Sequence, residues 1–225
     1  MARRDSIRVV GNTGGEPVLG LRERKKRRTR ATLIDAAAGL CDRQGFDATT
    51  VDQIAATADV SPRTFSRYFA TKDAIAMALV DEVLEHTATE LARQPDHLSH
   101  LDALRCAYVA MAEATKFAPA GGFTSERLLR TVRITMSSPA LRQAAVEFRA
   151  SAVDEVVAQR MGTAVDDRRV RLLAAVWAAL VFTALQDLGP PARVHDPMTV
   201  DDVIVAFEAA YVEFTGEIAG VGQPV

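Results

Sequence analysis

Four side chains within residues 61–69, SPRTFSRYF, have the types and the spacing that bind a polyanion. At about 100° per residue of an α-helix, one side of this segment carries Arg63, Thr64, Arg67 and Tyr68. Arginine forms bidentate hydrogen bonds with guanine or phosphate, threonine contacts thymine methyl groups or phosphate, and tyrosine donates to phosphate. The segment therefore predicts a helix whose outer side contacts DNA.

The same segment carries the signals that begin and anchor such a helix. Ser61 is a suitable N-cap, and Pro62 occupies the first helical position, where its missing N–H costs nothing. Phe65 and Phe69 lie on the side away from the arginines and are predicted to anchor the helix to a small core. An ordinary helical hairpin with solvated arginines is the alternative interpretation.

Two residues outside this helix are also predicted to meet a phosphate backbone. Thr50 is an N-cap for a preceding short helix, and Gln53 completes a capping box with it. Lys72 begins the following helix, at a position where the helix dipole disfavours a cation but attracts phosphate. The alternative interpretations are that Thr50 is only an N-cap and that the Lys72 side chain extends into solvent.

The charge distribution supports a polyanion-binding module at the N-terminal end. The whole chain has a net charge of −2, but residues 1–75 carry 14 Lys and Arg against 9 Asp and Glu, whereas residues 76–225 carry 13 against 20. A basic third on an acidic remainder is typical of a local nucleic-acid-binding unit. Charge alone does not exclude a solvated run such as RERKKRR, residues 22–28.

The elements that position these residues are predicted to be helices throughout. Residues 1–20 contain GNTGGEP and few large apolar groups, which predicts a flexible tail. Apolar periodicity and capping residues predict nine helices, at 21–44, 51–58, 62–69, 72–93, 98–117, 124–136, 139–161, 167–187 and 200–215. Since no segment alternates like a strand, the fold class is all-α, with three helices in a basic N-terminal unit and six in an acidic body.

Several classes of protein are disfavoured by the residues present. Cys41 and Cys106 each lie in an apolar helical pattern, which favours buried thiols over a disulfide or metal site. His97 and His100 lack an evident third ligand, so neither a metal nor a cofactor is expected. No Ser/His/Asp set or Gly-rich phosphate loop supports an enzyme. With no secretory signal, and an apolar run at 172–185 of only 14 residues, we expect a cytoplasmic protein without membrane contact.

Residues 27–75 resemble the DNA-binding domain of TetR-family transcriptional regulators, through GFDATTVDQIA, VSPRTFSRYF and TKD. The resemblance implies a helix-turn-helix domain over 21–71 and a helical effector-binding and dimerisation domain over 72–225. By position it implies DNA contacts from Thr50, Arg63, Thr64, Ser66, Arg67, Tyr68 and Lys72, with further phosphate or minor-groove contacts from Lys25–Arg30. Asp59 replaces the glycine usual in the family, and the turn is expected to survive because aspartate tolerates a left-handed backbone.

Residues 128–162 are similar to the C-terminal domain of a TetR subgroup like the mycofactocin-system regulator, which implies an acyl-CoA or other long apolar effector. The middle helices are predicted to hold it. The candidate pocket residues are Tyr108, Met111, Phe117, Phe123, Arg133, Met136, Phe148, Trp177 and Phe182. Arg133, or Arg130 in its place, is expected to pair with an anionic headgroup. Apolar residues at helical spacing are more often plain core.

The resemblance also implies that the last two helices form a four-helix dimer interface with a second copy. Both are rich in small and apolar side chains, including Ala175, Ala179, Val203, Phe207 and Tyr211, although an intramolecular core explains these equally well. The expected function is a ligand-responsive repressor that binds a palindromic operator as a dimer and is released by a small apolar or acyl-CoA-like effector. The competing hypotheses are an α-helical enzyme and a regulator without an effector.

Overall fold

Helices form all the regular structure that surrounds the residues of interest. The computed structural model describes residues 20–147, 151–188 and 198–219, so all of the predicted tail except Gly20 lies outside the described residues. Within the described ranges every regular element is an α-helix, which confirms the all-α class. The helices are α1 (Leu21–Gln44), α2 (Val51–Thr57), α3 (Pro62–Tyr68), α4 (Lys72–Leu91), α5 (His100–Thr115), α6 (Ser125–Ser137), α7 (Pro139–Glu147), α8 (Ala152–Met161), α9 (Arg168–Asp187) and α10 (Val200–Ala219).

The predicted count of nine helices is wrong, because the described residues form ten. The single helix expected over 139–161 is divided into α7 and α8. Ser151 has an extended backbone, with φ −76° and ψ 164°, and its hydroxyl accepts a hydrogen bond from the Asp154 amide. The Asp154 carboxylate in turn accepts from the Ser151 amide, so a complete capping box begins α8 at this point.

The first core lies inside α1, α2, α3 and the first turns of α4. Its largest fully buried side chains are Leu33, Ile54, Phe65 and Ile75. Burial of each such side chain contributes about 1.5–3 kcal/mol. Ile134 of α6 and Leu141 of α7 belong to the same core. The N-terminal unit, which we define as α1–α3, is therefore joined to the body through a shared core, and the predicted division at residue 71 falls within that core.

The second core fills the body, and an aromatic cluster lies within it. Phe207 of α10 contacts Tyr108 of α5 and Trp177 of α9, with ring centroids 4.7 and 5.2 Å apart. The Tyr211 hydroxyl donates to Asp102 at 2.8 Å, and burial together with that carboxylate raises the pKa of Tyr211 to about 12. This packing fixes the position of Trp177.

Helix α9 is long and strongly apolar. By length and composition alone, its segment Arg168–Gln186 is the one described segment long and apolar enough to cross a membrane, as core helices of soluble proteins also are. The uninterrupted apolar run within it is 14 residues. Within the chain, 28% of the most apolar 18-residue stretch of α9 is buried.

Candidate DNA-binding and effector sites

The predicted recognition segment forms α3, and its local signals act as expected. The Ser61 hydroxyl accepts from the Thr64 amide at 3.1 Å, and Pro62 occupies the first turn, which confirms both as the helix start. Phe65 and Phe69 are 1% and 5% exposed, with ring centroids 5.9 Å apart. The two aromatic anchors are therefore confirmed, and the opposite side of α3 faces outward.

The outward side of α3 presents two cations. Arg63 and Arg67 are exposed, and neither forms an ion pair with a described residue. The Arg67 guanidinium lies 5.3 Å from the centre of the half-buried Tyr68 ring, which limits its rotamers. The Thr64 hydroxyl is hydrogen-bonded to the Ser61 hydroxyl at 3.0 Å, and the Ser66 hydroxyl donates to the Pro62 carbonyl at 3.1 Å. Charge on this side therefore comes from the two arginines.

The turn between α2 and α3 has the geometry expected at Asp59. Its φ is 54°, the only positive value among the described non-glycine residues. The Val60 amide donates to the Ala55 carbonyl at 2.9 Å, which closes the end of α2. The prediction that Asp59 accepts a left-handed conformation in place of glycine is confirmed.

Thr50 caps α2 as predicted. Its hydroxyl accepts from the Gln53 amide at 3.2 Å, and the Gln53 side chain accepts from the Thr50 amide at 3.0 Å. Gln44 at the end of α1 donates to the Gln53 side-chain oxygen at 2.9 Å. The cap therefore also ties α2 to α1, and the exposed Thr50 hydroxyl lies at the start of α2.

The Lys72 side chain, predicted to contact a phosphate, has hydrogen-bond partners within the chain. Its ammonium donates to the carbonyl oxygens of Phe46 at 2.8 Å and Asp47 at 3.4 Å. It also lies 4.2 Å from the centre of the Phe46 ring, within range of a cation–π interaction. The ammonium therefore holds the start of α4 against the α1–α2 connection instead of projecting freely from the helix. Sequence spacing could not show this, because the partners lie 25 and 26 residues away.

A largely apolar cavity lies in the body, and we call it the α6–α9 cavity. Its empty volume is about 940 Å³, including the part that opens to solvent. Walls come from α4, α5, α6, α8 and α9, with Ala145 of α7. Three of the predicted pocket residues, Tyr108, Trp177 and Phe182, line it. Burial raises the pKa of Tyr108 well above its ordinary value, so its hydroxyl remains protonated.

The other predicted pocket residues lie in different places. Met111 and Phe123 line a second cavity of about 570 Å³, where Phe123 stacks on His86 at 4.5 Å. Met136 packs against the body core without lining either cavity. The prediction does not hold for Phe117, whose side chain is 85% exposed beyond the end of α5. Phe148 lies outside the described residues.

The arginine predicted to bind a headgroup pairs with the N-terminal unit. The Arg133 guanidinium donates to Asp42 of α1 at 3.0 and 3.3 Å. Arg130 approaches the same carboxylate at 3.9 Å. Neither side chain lines the cavity, so the expected anionic subsite is absent from the described lining.

A third arginine of α6 extends this pairing to α4. Arg127 donates to Glu82 of α4 at 2.7 Å and lies 3.3 Å from Asp35 of α1. Cavity-lining Leu128, Thr131 and Thr135 point from a different side of α6. Helix α6 therefore contacts the cavity on one side and α1 on another. The sequence signal that would have found this is Arg at every third position of α6 facing Asp35 and Asp42, seven residues apart on α1.

Among the described residues, no group of three or more His, Cys, Asp or Glu side chains is placed to hold a metal ion. Both cysteines are free thiols, and burial raises the pKa of Cys41. The described part of the chain therefore offers a cationic helix and an apolar cavity as its candidate sites.

Comparisons with known proteins identify a family model and several relatives of this chain. Residues 33–79 fit the family model described as bacterial regulatory proteins, tetR family. The chain is 33% identical over 168 residues to the HTH-type transcriptional regulator TcmR of Streptomyces glaucescens, spanning 72% of this chain and 73% of that protein. It is 34% identical over 108 residues to the HTH-type transcriptional regulator HbdR of Aromatoleum sp. (strain CIB), spanning 46% and 47%.

Among solved structures, the chain is similar to Thermus thermophilus FadR, a TetR-family transcriptional repressor crystallised in complex with lauroyl-CoA. That similarity has 21% identity and a TM-score of 0.47, and it covers 87% of this chain and 98% of the other.

Proposed function

We propose a regulatory cycle for this chain, which belongs to the tetR family of bacterial regulatory proteins and is a DNA-binding transcriptional regulator, not an enzyme. Two copies bind a palindromic operator in the cytoplasm and repress transcription. A small apolar effector then occupies the α6–α9 cavity and releases the DNA. The observation that carries the proposal is that α4 and α6 line this cavity and also contact the N-terminal unit.

The recognition helix supplies the DNA contacts of this cycle. In a helix-turn-helix protein the second helix enters the major groove, and here that helix is α3. Arg63 and Arg67 are assigned to base edges and phosphates, while Thr50, Thr64, Ser66 and Tyr68 add contacts to the backbone. Lys72 is assigned first to holding α4 in place, because its ammonium donates to the Phe46 and Asp47 carbonyls, which leaves one N–H for a phosphate.

The dimer is proposed to form through the outer sides of α9 and α10. Val203, Phe207 and Tyr211 are buried in the chain's own core, as the intramolecular alternative anticipates. Six exposed small or apolar residues lie on the other sides of the two helices: Leu172, Ala175, Ala179, Val205, Ala209 and Val212. They recur at spacings of three and four and so form one stripe on each helix. Pairing these stripes buries the apolar surface that α9 leaves uncovered.

Release is proposed to follow from a shift between two arrangements of α6. Because Arg133 ties α6 to Asp42 and Arg127 ties it to Glu82 and Asp35, a ligand that moves α6 also moves the N-terminal unit. A ligand that binds better to an arrangement with wrongly spaced recognition helices lowers DNA affinity by population shift. The coupling needs no contact between the effector and α3.

The chemistry of the cavity favours an apolar effector over an acyl-CoA bound with its charged headgroup inside. The described lining contains no lysine, arginine or histidine that would neutralise a phosphate or carboxylate. A coenzyme A thioester would therefore place only its acyl chain among these side chains. Anionic headgroups are left for the opening of the cavity or for solvent.

A reporter experiment tests the proposed cycle. The promoter region upstream of the gene is fused to a reporter in a bacterial host that lacks the regulator, with and without a plasmid that supplies the chain. We expect the wild-type chain to lower reporter expression and the Arg63→Ala, Arg67→Ala variant to leave it unrepressed. As a control, an immunoblot establishes that the wild-type chain and the variant are present in equal amounts.

Three results separate the proposal from its competitors. Higher expression with the wild-type chain means activation and contradicts repression. Unchanged expression together with no gel shift of the same DNA contradicts specific binding at that region. Repression that no apolar compound relieves, while purified protein also binds none of them, supports the regulator without an effector.

A further inference from the structure

We propose that the α6–α9 cavity binds an apolar organic cation, an ammonium with an N–H donor, and that Asp154 is the residue that selects it. This inference rests on the proposed function, since it names the effector class of the same cavity. Three features of the lining support it, namely one buried carboxylate, a set of aromatic side chains and the absence of cations from the described lining residues.

Asp154 is the charged group among the described lining residues. It is 7% exposed, although a carboxylate is among the groups least often buried. One hydrogen bond to its side chain is donated by the Ser151 amide, at 3.0 Å, and no ion pair joins it to a described residue. A buried carboxylate costs free energy unless hydrogen bonds or a counter-charge compensate it. An ammonium in the cavity would supply both.

The aromatic side chains of the lining also favour a positively charged ligand. Tyr108, Trp177 and Phe182 all line the cavity, and the faces of aromatic rings attract cations. The Tyr108 and Trp177 rings are held edge-to-face with centroids 5.7 Å apart, so their orientation is set before a ligand arrives. Aliphatic side chains such as Val83 and Leu84 of α4 complete a surface suited to a hydrocarbon chain.

The described surroundings of the cavity disfavour an anionic ligand. The start of α8 would attract an anion through its free N–H groups, but the Ser151 hydroxyl already accepts from the Asp154 amide, and a carboxylate already lies there. Arg127, Arg130 and Arg133 are on another side of α6, paired with Asp35, Asp42 and Glu82. The described surroundings therefore repel a carboxylate or phosphate bound inside the cavity.

The experiment uses three probes that share one alkyl chain. Decylammonium, 1-decanol and decanoate are titrated separately into the full-length protein at neutral pH, below their micelle-forming concentrations. Trp177 is the only tryptophan in the chain and it lines the cavity, so its fluorescence reports binding directly. We expect decylammonium to bind at least roughly tenfold more tightly than decanoate, the range of one charge-assisted hydrogen bond.

Two matched variants test the role of the carboxylate. Asp154→Asn keeps an oxygen that caps α8 and removes the charge, so we expect the decylammonium affinity to fall roughly tenfold. The 1-decanol affinity should change much less. Glu155→Gln removes the same charge from the neighbouring exposed residue and should leave all three affinities unchanged. The thermal melting curve of each variant establishes that it is folded.

Specific results would overturn the inference. It fails if decanoate binds as tightly as decylammonium to the wild type, if no probe changes Trp177 fluorescence, or if Asp154→Asn and Glu155→Gln lower the decylammonium affinity equally. The proposed function is tested separately by adding decylammonium to the protein–DNA complex. Asp154-dependent binding without DNA release upholds the cavity chemistry and contradicts the assignment of this cavity as the effector site.

Discussion

The recognition helix and the effector cavity are built by opposite strategies. In and around α3 the cap, the proline, the anchors and the two arginines all lie within nine consecutive positions, 61–69. The cavity is lined from α4, α5, α6, α7, α8 and α9, and residues as distant as Val80 and Leu185 line it. The DNA-contact chemistry is therefore encoded locally in this chain, whereas the effector chemistry depends on how distant helices pack together.

The largest effect is expected at the local site. Replacing Arg63 and Arg67 by alanine should lower the affinity for operator DNA by roughly 100-fold or more, because each charge-assisted contact contributes about 1.5–3 kcal/mol. Fluorescence anisotropy with a labelled duplex measures this loss. Both side chains are exposed, so the melting temperature should stay near that of the wild type.

The control for that variant is Arg93→Ala, which removes an exposed arginine just beyond α4. It should leave operator affinity within about twofold of the wild type, since surface pairs contribute little. An equal loss in the control would mean that overall charge, not the α3 side, accounts for binding.

A smaller effect distinguishes packed core from cavity within the body. Ala158 lies in the packed core and lines no described cavity, so Ala158→Leu should reduce the free energy of unfolding by about 1–3 kcal/mol. Ala178 lines the cavity, so the added methyl groups of Ala178→Leu enter open space without overpacking and should cost less than about 1 kcal/mol. Urea denaturation measures both values. Equal destabilisation by the two substitutions would mean that the cavity closes in solution.

Lys72 should contribute to stability even without DNA. Lys72→Met removes an ammonium bonded to the Phe46 and Asp47 carbonyls, and we expect the free energy of unfolding to fall by about 1–2 kcal/mol. Lys26→Met, at an exposed position of α1, is the control and should change stability by less than about 0.5 kcal/mol. A Lys72→Met variant with unchanged stability but weaker DNA binding would restore the phosphate contact predicted from sequence.

The smallest effect concerns the turn. Asp59 has φ 54°, a left-handed backbone conformation that is strained for residues with a Cβ atom but not for glycine. Asp59→Gly should therefore raise the free energy of unfolding by about 0.5 kcal/mol, while Asp59→Val should lower it by about 1–2 kcal/mol. Thermal melting checks both variants. Changes in the same direction would show that the backbone of this turn does not determine its stability.

The sequence predicted the features that depend on neighbouring residues. Ser61 and Pro62 begin α3, Thr50 forms a capping box, and Phe65 and Phe69 are buried, because caps and helical periodicity act within one or two turns. The division between α7 and α8 was missed although its signal was present, since Ser151 and Asp154 form a capping box inside an otherwise helical pattern.

Other features could not be predicted because they join residues far apart. Arg133 donates a hydrogen bond to Asp42, which lies 91 positions away in the sequence. No local pattern reveals this pairing, which directs the guanidinium away from the cavity. Phe117 follows α5, which ends at Thr115, so its direction is not set by helical periodicity. Tertiary contacts decide the position of such residues, as they also do for Lys72.

Sequence-specific binding of the operator by two chains is measured by titrating the purified chain into labelled DNA. The DNA is the region upstream of the gene, and a scrambled duplex of equal length and composition serves as the comparison at about 150 mM salt. We expect a preference of at least roughly 1000-fold for the native sequence, with complexes whose mass corresponds to two chains, or a multiple of two, on each duplex. Equal affinity for the two duplexes, or a single chain on the native one, would contradict specific operator binding by a dimer.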